Sequence, residues 1–234
     1  MKKLISNQDL LKFIALIVMM IDHSGAFILQ DMPYLRAIGR VGIPIWFFFV
    51  GYNFKINYKN DYIILASFLI LHIAICTLTG SYKIHPNVLL TMFLARMCLR
   101  FIKFDCNNYN FAALSFLSLI TYPFTNIAFE YGGLGILIAI WGYNIKKNIG
   151  DRKFQSIIIY ALLCITQLFS FGFDIIDQTL VVTSFALIIY YLHNFTPSNF
   201  EVIGGNIISY ASHTTLYSYC ITVFLFNVSK KLIG

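Results

Sequence analysis

Nine long apolar stretches follow one another along this chain, and no connection between them exceeds about 12 residues. They run roughly over 8–29, 38–56, 62–79, 86–104, 111–129, 131–146, 154–172, 176–193 and 205–228. A helix that crosses a bilayer needs about 20 mostly apolar residues. In lipid every backbone polar group must be satisfied within the chain, so repeated stretches of this length predict helices. The expected fold is all-α: a polytopic transmembrane bundle of about nine spans, eight to ten, forming a single domain over residues 1–234. The sixth and eighth stretches are short, and only a Glu130-Tyr131 corner separates the fifth from the sixth.

Charge excludes the water-soluble alternative. Only 12% of the 234 residues are charged while 59% are hydrophobic, against about 25% charged in soluble domains. The first stretch follows Lys2 and Lys3 as a signal peptide would, but no small-x-small site follows it, so it reads as a retained helix. Five cysteines are scattered with no CxxC or Cys/His spacing, which supports neither a disulfide framework nor a metal site. The net charge of +7 sits in short clusters between apolar runs. Membrane topology produces that distribution; a nucleic-acid surface would concentrate it on one face.

With a cytoplasmic N-terminus, Lys2, Lys3, Lys55, Lys59, Arg100, Lys103, Lys146, Lys147, Arg152 and Lys153 lie inside. Arg36 and Lys83 lie outside, with Glu130, Asp174 and Asp177. Ten basic residues against two is a positive-inside bias, which sets the N-terminus on the cytoplasmic side. Lys230 and Lys231 are the exception, falling outside when nine spans are counted.

Ionisable groups within apolar spans are expensive, so they mark function by default. Asp22 and His23 lie in the first stretch, with His23 about 20 Å along the helix from Leu10. That is the outer half of the membrane. Adjacent helical residues point about 100° apart, so the two do not form a dyad. One is expected to face the bundle centre and the other to brace a neighbouring helix. The competing reading is a helix-end pair solvated by headgroups. Arg40 re-enters the membrane at the same depth and can pair Asp22, or else snorkel to the interface. Glu130 precedes a glycine-rich helix start, and His213 lies in a last span too polar to face lipid. At the inner ends, Lys12, Lys55, Lys59, Arg96, Arg100 and Lys103 could hold phosphates of a soluble donor, although positive-inside topology explains most of them. Arg96 stands apart because it is well inside its span.

Several of these runs resemble the TraX family of conjugative-pilin N-acetylases. Leu-Leu-Lys-Phe-Ile-Ala-Leu-Ile-Val-Met-Met-Ile-Asp-His-Ser-Gly at 10–25 is similar to the family's Leu-Lys, hydrophobic run, Met-x-x-Asp-His-x-Gly. Leu-Arg-Ala-Ile-Gly-Arg-Val-Gly-Ile-Pro-Ile-Trp-Phe-Phe at 35–48 resembles Arg-x-x-Gly-Arg-x-x-x-Pro. Asn-Val-Leu-Leu-Thr-Met-Phe-Leu at 87–94 also matches, as does Glu130-Tyr-Gly-Gly-Leu-Gly, where the family more often has Asp-Tyr-Gly. In the segment from Tyr210 to Tyr217, Ala211 replaces the proline of the family's Phe-Tyr-Pro-x-His. The first two stretches are distantly similar to wider membrane acyltransferases, with a Phe48-Phe-Val-Gly-Tyr segment in the second.

The resemblance implies acetyl transfer from cytosolic acetyl-CoA to an acceptor, for TraX the N-terminal amine of pilin. Acetyl-CoA would dock its phosphates on Lys12, Arg96 and Arg100, and its pantetheine arm of roughly 15–20 Å would thread the bundle towards His23. His23 is then the expected general base, or else a covalent acetyl carrier. Asp22 orients a partner or pairs Arg40, and Arg40 stabilises the oxyanion. Glu130 and His213 complete the expected catalytic set. Two rivals stand beside this reading. One is an O-acyltransferase acting on an envelope glycan or sugar. The other is a transporter or pilus-assembly protein without enzymatic activity, for which internal repeats and broken midplane helices would be expected.

Overall fold

A computed structural model describes residues 2–29, 32–80, 87–101, 107–128, 131–170 and 174–233. Glu130, Lys83 and Lys103 lie outside the described residues. The described chain is helical apart from one two-stranded sheet. β1 (Lys2–Ser6) leads into α1 (Asn7–Phe27), α2 (Pro33–Arg40), α3 (Gly42–Tyr52), α4 (Tyr58–Thr79) and α5 (Val88–Phe101). Then come α6 (Asn108–Ala128), α7 (Gly132–Lys147), α8 (Arg152–Ser170), α9 (Ile175–His193), β2 (Asn199–Ile203), α10 (Gly205–His213) and α11 (Thr215–Ile233).

Four segments are both long and apolar enough to cross a membrane among the described residues: Asn7–Phe27, Pro33–Tyr52, Tyr58–Thr79 and Ile175–His193. The other apolar stretches also fall on helices, some of them shorter. α7 is the clearest case. It has 16 residues, about 24 Å at helical rise. It is buried on most of its circumference, from Gly132 to Ile145, so protein surrounds it and lipid length does not govern it.

Two stretches that read as continuous are interrupted for local reasons. α2 and α3 divide at Val41 because Pro44 cannot donate to the carbonyl of Arg40, and its ring crowds that carbonyl. α10 and α11 divide at Thr214, where the Thr215 hydroxyl meets the carbonyls of Ala211 and Ser212 at 2.9 and 2.6 Å.

Small residues set the helix spacing. α7 packs against α3 so closely that a Cβ on Gly51 would lie 2.6 Å from the carbonyl carbon of Ala139. The reciprocal contact sets Gly142 against the backbone of Phe48. Such close approach maximises dispersion where lipid provides no hydrophobic drive. Around this seam Phe47, Phe48, Phe49, Trp141 and Phe195 form the aromatic centre of the core. The outside is apolar as well: Ile70 is 69%, Phe116 67% and Leu187 70% exposed. An outer surface of this kind suits lipid and not water.

The sheet and the last helix define the two ends of the bundle. β1 pairs antiparallel with β2, Lys2 opposite Ile203 and Ser6 opposite Asn199. Asn7 holds the same connection, its amide donating to the Thr196 carbonyl at 2.7 Å. The N-terminus and residues 196–203 therefore share one face. At the opposite face the Lys230 ammonium lies 5.8 Å from the Phe27 ring, and Lys231 donates to the Leu78 carbonyl at 2.6 Å. α11 thus ends beside the ends of α1 and α4, on the far side from β1.

Candidate functional site

Asp22 and His23 point to different neighbours. The Asp22 carboxylate is buried and faces α2, where Arg36 Nε lies 3.4 Å and Arg40 Nε 3.8 Å from its Oδ1. The i,i+4 spacing of the two arginines puts both on one face of α2, and Gly39 lets that face approach. A Cβ at Gly39 would stand 2.6 Å from the Cα of Asp22. The expected Asp22–Arg40 pairing is present. Arg36, counted from the sequence only as an outer charge, is the closer partner.

His23 turns towards α11. Its ring stacks on Phe27 at 5.8 Å and meets Tyr219 edge-on at 6.1 Å. Nδ1 lies 2.8 Å from the Met19 carbonyl. A carbonyl only accepts, so Nδ1 carries the hydrogen. In the neutral ring Nε2 is then the nitrogen with the lone pair.

Arg40 also reaches across to the start of α7. Its Nη1 donates to the Tyr131 hydroxyl at 2.8 Å, and its guanidinium carbon is 5.5 Å from the ring centroid. Sequence reasoning passed over Tyr131 in favour of Glu130 and the glycines beside it. The available signal was a tyrosine directly before two glycines at a helix start.

A second buried cluster lies nearer the N-terminal face. Asp61 receives Arg96 Nε at 2.5 Å and also contacts Arg100. Arg96 donates to the Lys55 carbonyl at 3.2 Å and covers Phe54, while Arg100 lies 4.0 Å over the Tyr58 ring. Asp61 was missed because it immediately precedes the third apolar stretch. In both clusters one carboxylate holds two arginines spaced i,i+4, which leaves one positive charge in excess.

A cavity of about 360 Å³ joins the two regions. Lys12, Asn53, Asn60 and Arg96 line one part; Asp22, His23 and Tyr131 line another. Met19, Ile43, Trp46, Phe47, Leu89 and Met92 furnish apolar wall between them. From Lys12 to His23 the cavity wall climbs three turns of α1, about 16 Å. Arg40 and Arg100 are not among the described lining residues. His213 lines the cavity, but at the N-terminal face: its neighbour Ser212 donates to Asp9 in the first turn of α1. Asp9 and His23 are about 21 Å apart along α1. The structure therefore does not bring His213 to His23, and it exposes the His213 side chain rather than enclosing it in the bundle.

The TraX protein family model matches residues 7–219. The chain belongs to the TraX family. The match takes in both buried clusters and every element that lines the cavity up to Tyr219. The chain is also similar to an uncharacterized protein of Rickettsia prowazekii (strain Madrid E). That relative is 27% identical over 230 residues, covering 93% of this chain and 90% of the relative. No solved structure matches the chain significantly.

Proposed function

We propose that the chain is a membrane-embedded acetyltransferase of about nine spans. Its N-terminus lies in the cytoplasm and it resides in the bacterial inner membrane. It moves an acetyl group from cytosolic acetyl-CoA to an acceptor near the opposite face, the N-terminal amine of conjugative pilin. The observation that carries this reading is the cavity. It runs between a basic region at Lys12 and Arg96 and an imidazole at His23, over a length that matches a pantetheine arm. Membership of the TraX family supports the same reading. The shared face of β1 and β2, with the last helix ending opposite, is the arrangement an odd number of crossings produces.

In this mechanism the donor's phosphates rest on the cytoplasmic lysines and on Arg96, and the thioester reaches His23. An amine attacks only when deprotonated, so Nε2 of His23 takes its proton as general base. The Met19 carbonyl holds the tautomer that makes Nε2 basic. Asp22 keeps α2 in register through Arg36 and Arg40. A hydroxyl acceptor would use the same groups, so the acceptor is decided by experiment.

The test uses membranes containing the full chain, labelled acetyl-CoA, purified pilin and an envelope glycan fraction. Mass spectrometry should find pilin acetylated at its N-terminus with the wild-type chain and unmodified with His23→Gln. Label in the glycan alone would reassign the acceptor to a hydroxyl. Label in neither, with the chain intact in the membrane, would refute acyl transfer.

A further inference from the structure

Arg40 is buried, with 5% of its side chain exposed, and it stands back from the cavity that Tyr131 lines. A cation in that position does not reach a bound carbonyl directly. Tyr131, whose phenol it holds, does line the cavity. Donation from a guanidinium to the phenol oxygen is charge-assisted and polarises the tyrosine O–H, making it a stronger donor. The ring itself is fixed edge-on against Phe47 at 5.8 Å.

The backbone at this residue points the same way. Tyr131 has φ 66° and ψ 0°, a left-handed conformation that costs a bulky residue of order 1 kcal/mol or more. Glycine would adopt it without strain, and Gly132 follows immediately. A strained aromatic residue facing a cavity, with its hydroxyl gripped by a buried cation, is an arrangement packing alone does not require.

We infer that Tyr131 is a catalytic residue that donates a hydrogen bond to the carbonyl oxygen of the transferred acetyl group, with Arg40 as the positioning residue behind it. The inference rests on the acyl-transfer reading given above. The acceptor nitrogen bonds to the thioester carbon, and its proton passes to Nε2 of His23. The electron pair of the carbonyl moves onto oxygen, which accepts the hydrogen bond from Tyr131; the phenol keeps its proton throughout. The oxyanion then collapses, the C–S bond breaks, and the departing thiolate takes the proton from His23. Arg40 therefore stabilises the oxyanion through Tyr131 and not by contact, a different route from the one its sequence position suggests.

The test is a double-mutant cycle on the full chain in nanodiscs, with labelled acetyl-CoA and whichever acceptor the wild type uses. Tyr131→Phe should lower kcat about 100-fold or more with KM within about 2-fold, as for loss of one oxyanion donor. Arg40→Gln should also lower kcat, but by clearly less in the Tyr131→Phe background than in the wild type, the remainder reflecting its pairing with Asp22. Additive losses would mean that Arg40 acts independently, and kcat within about 3-fold of wild type for Tyr131→Phe would remove the donor role; either overturns the inference. Were Tyr131→Phe to aggregate, 3-fluorotyrosine at position 131 keeps the ring and sharpens the donor. Its single-turnover rate should then differ from wild type by about 2-fold or more, and an unchanged rate overturns the inference. A wild-type chain that transfers nothing refutes the acyl-transfer reading and this inference together, whereas an active wild type with a fully active Tyr131→Phe refutes this inference alone.

Discussion

Gly39→Ala is a one-carbon change that reports on the whole Asp22 cluster. The added Cβ would meet the Cα of Asp22 at 2.6 Å and its Cγ at 2.8 Å. Both belong to the helix backbone or its first side-chain atoms, so no flexible chain end can yield. Ordinary contact then requires α2 and α1 to part by roughly 1 Å or more. The Arg36 and Arg40 nitrogens start 3.4 and 3.8 Å from Asp22, so the same movement carries Arg40 beyond ion-pair range and loosens Arg36. Overpacking of this kind costs about 1–3 kcal/mol, and a 1 Å displacement of catalytic groups costs about 100-fold in rate. The assay is paired: thermal unfolding of the detergent-solubilised chain, which needs no knowledge of the reaction, and acetyl transfer in nanodiscs. The expected result is a lowered unfolding midpoint together with the rate loss. A Gly39→Ala chain with wild-type midpoint and rate would show that α2 is not held against Asp22, and the reasoning would fail.

Removing the other anchor should be costlier. Asp61→Asn leaves Arg96 and Arg100 buried without their carboxylate and should destabilise the chain by about 3–5 kcal/mol, read as reduced monodisperse yield and a lower unfolding midpoint. Gly51→Ala places a methyl 2.6 Å from the carbonyl carbon of Ala139, and Gly142→Ala one 3.0 Å from that of Phe48. Each should lower the midpoint by spreading α3 from α7, by about 1–3 kcal/mol, and the two together should cost less than their sum because they relieve the same seam. Ser6→Ala removes the oxygen that accepts from the Asp9 amide at 3.1 Å at the start of α1. It should cost about 1 kcal/mol, measurable as faster hydrogen exchange in the first turn of α1 than in its middle.

The linear order of the residues already determined that this chain is helical and has helices apolar enough to cross a membrane, because apolar length and scarcity of charge are local quantities that need no partner. Helical periodicity was enough to separate Asp22 from His23, and the structure turns one to α2 and the other to α11. The depth match between Asp22 and Arg40 was legible for the same reason: both are counted along known helices. Beyond that, distance along the chain stopped being informative. That Arg36 outranks Arg40 as partner of Asp22 depends on how far Gly39 lets two helices sink together. Asp61 and Arg96 are 35 residues apart, and Arg40 and Tyr131 are 91 apart. No local pattern encodes either pair, since each is made by packing of helices whose mutual rotation the sequence does not state. His213 shows the converse. Its place in a polar last stretch suggested the bundle interior, but its side chain is exposed, and the contact of its neighbour Ser212 with Asp9 sets it at the N-terminal end of the cavity. Single helices could be read from composition and periodicity, whereas the site is a set of contacts between helices, and only close packing decides which faces meet.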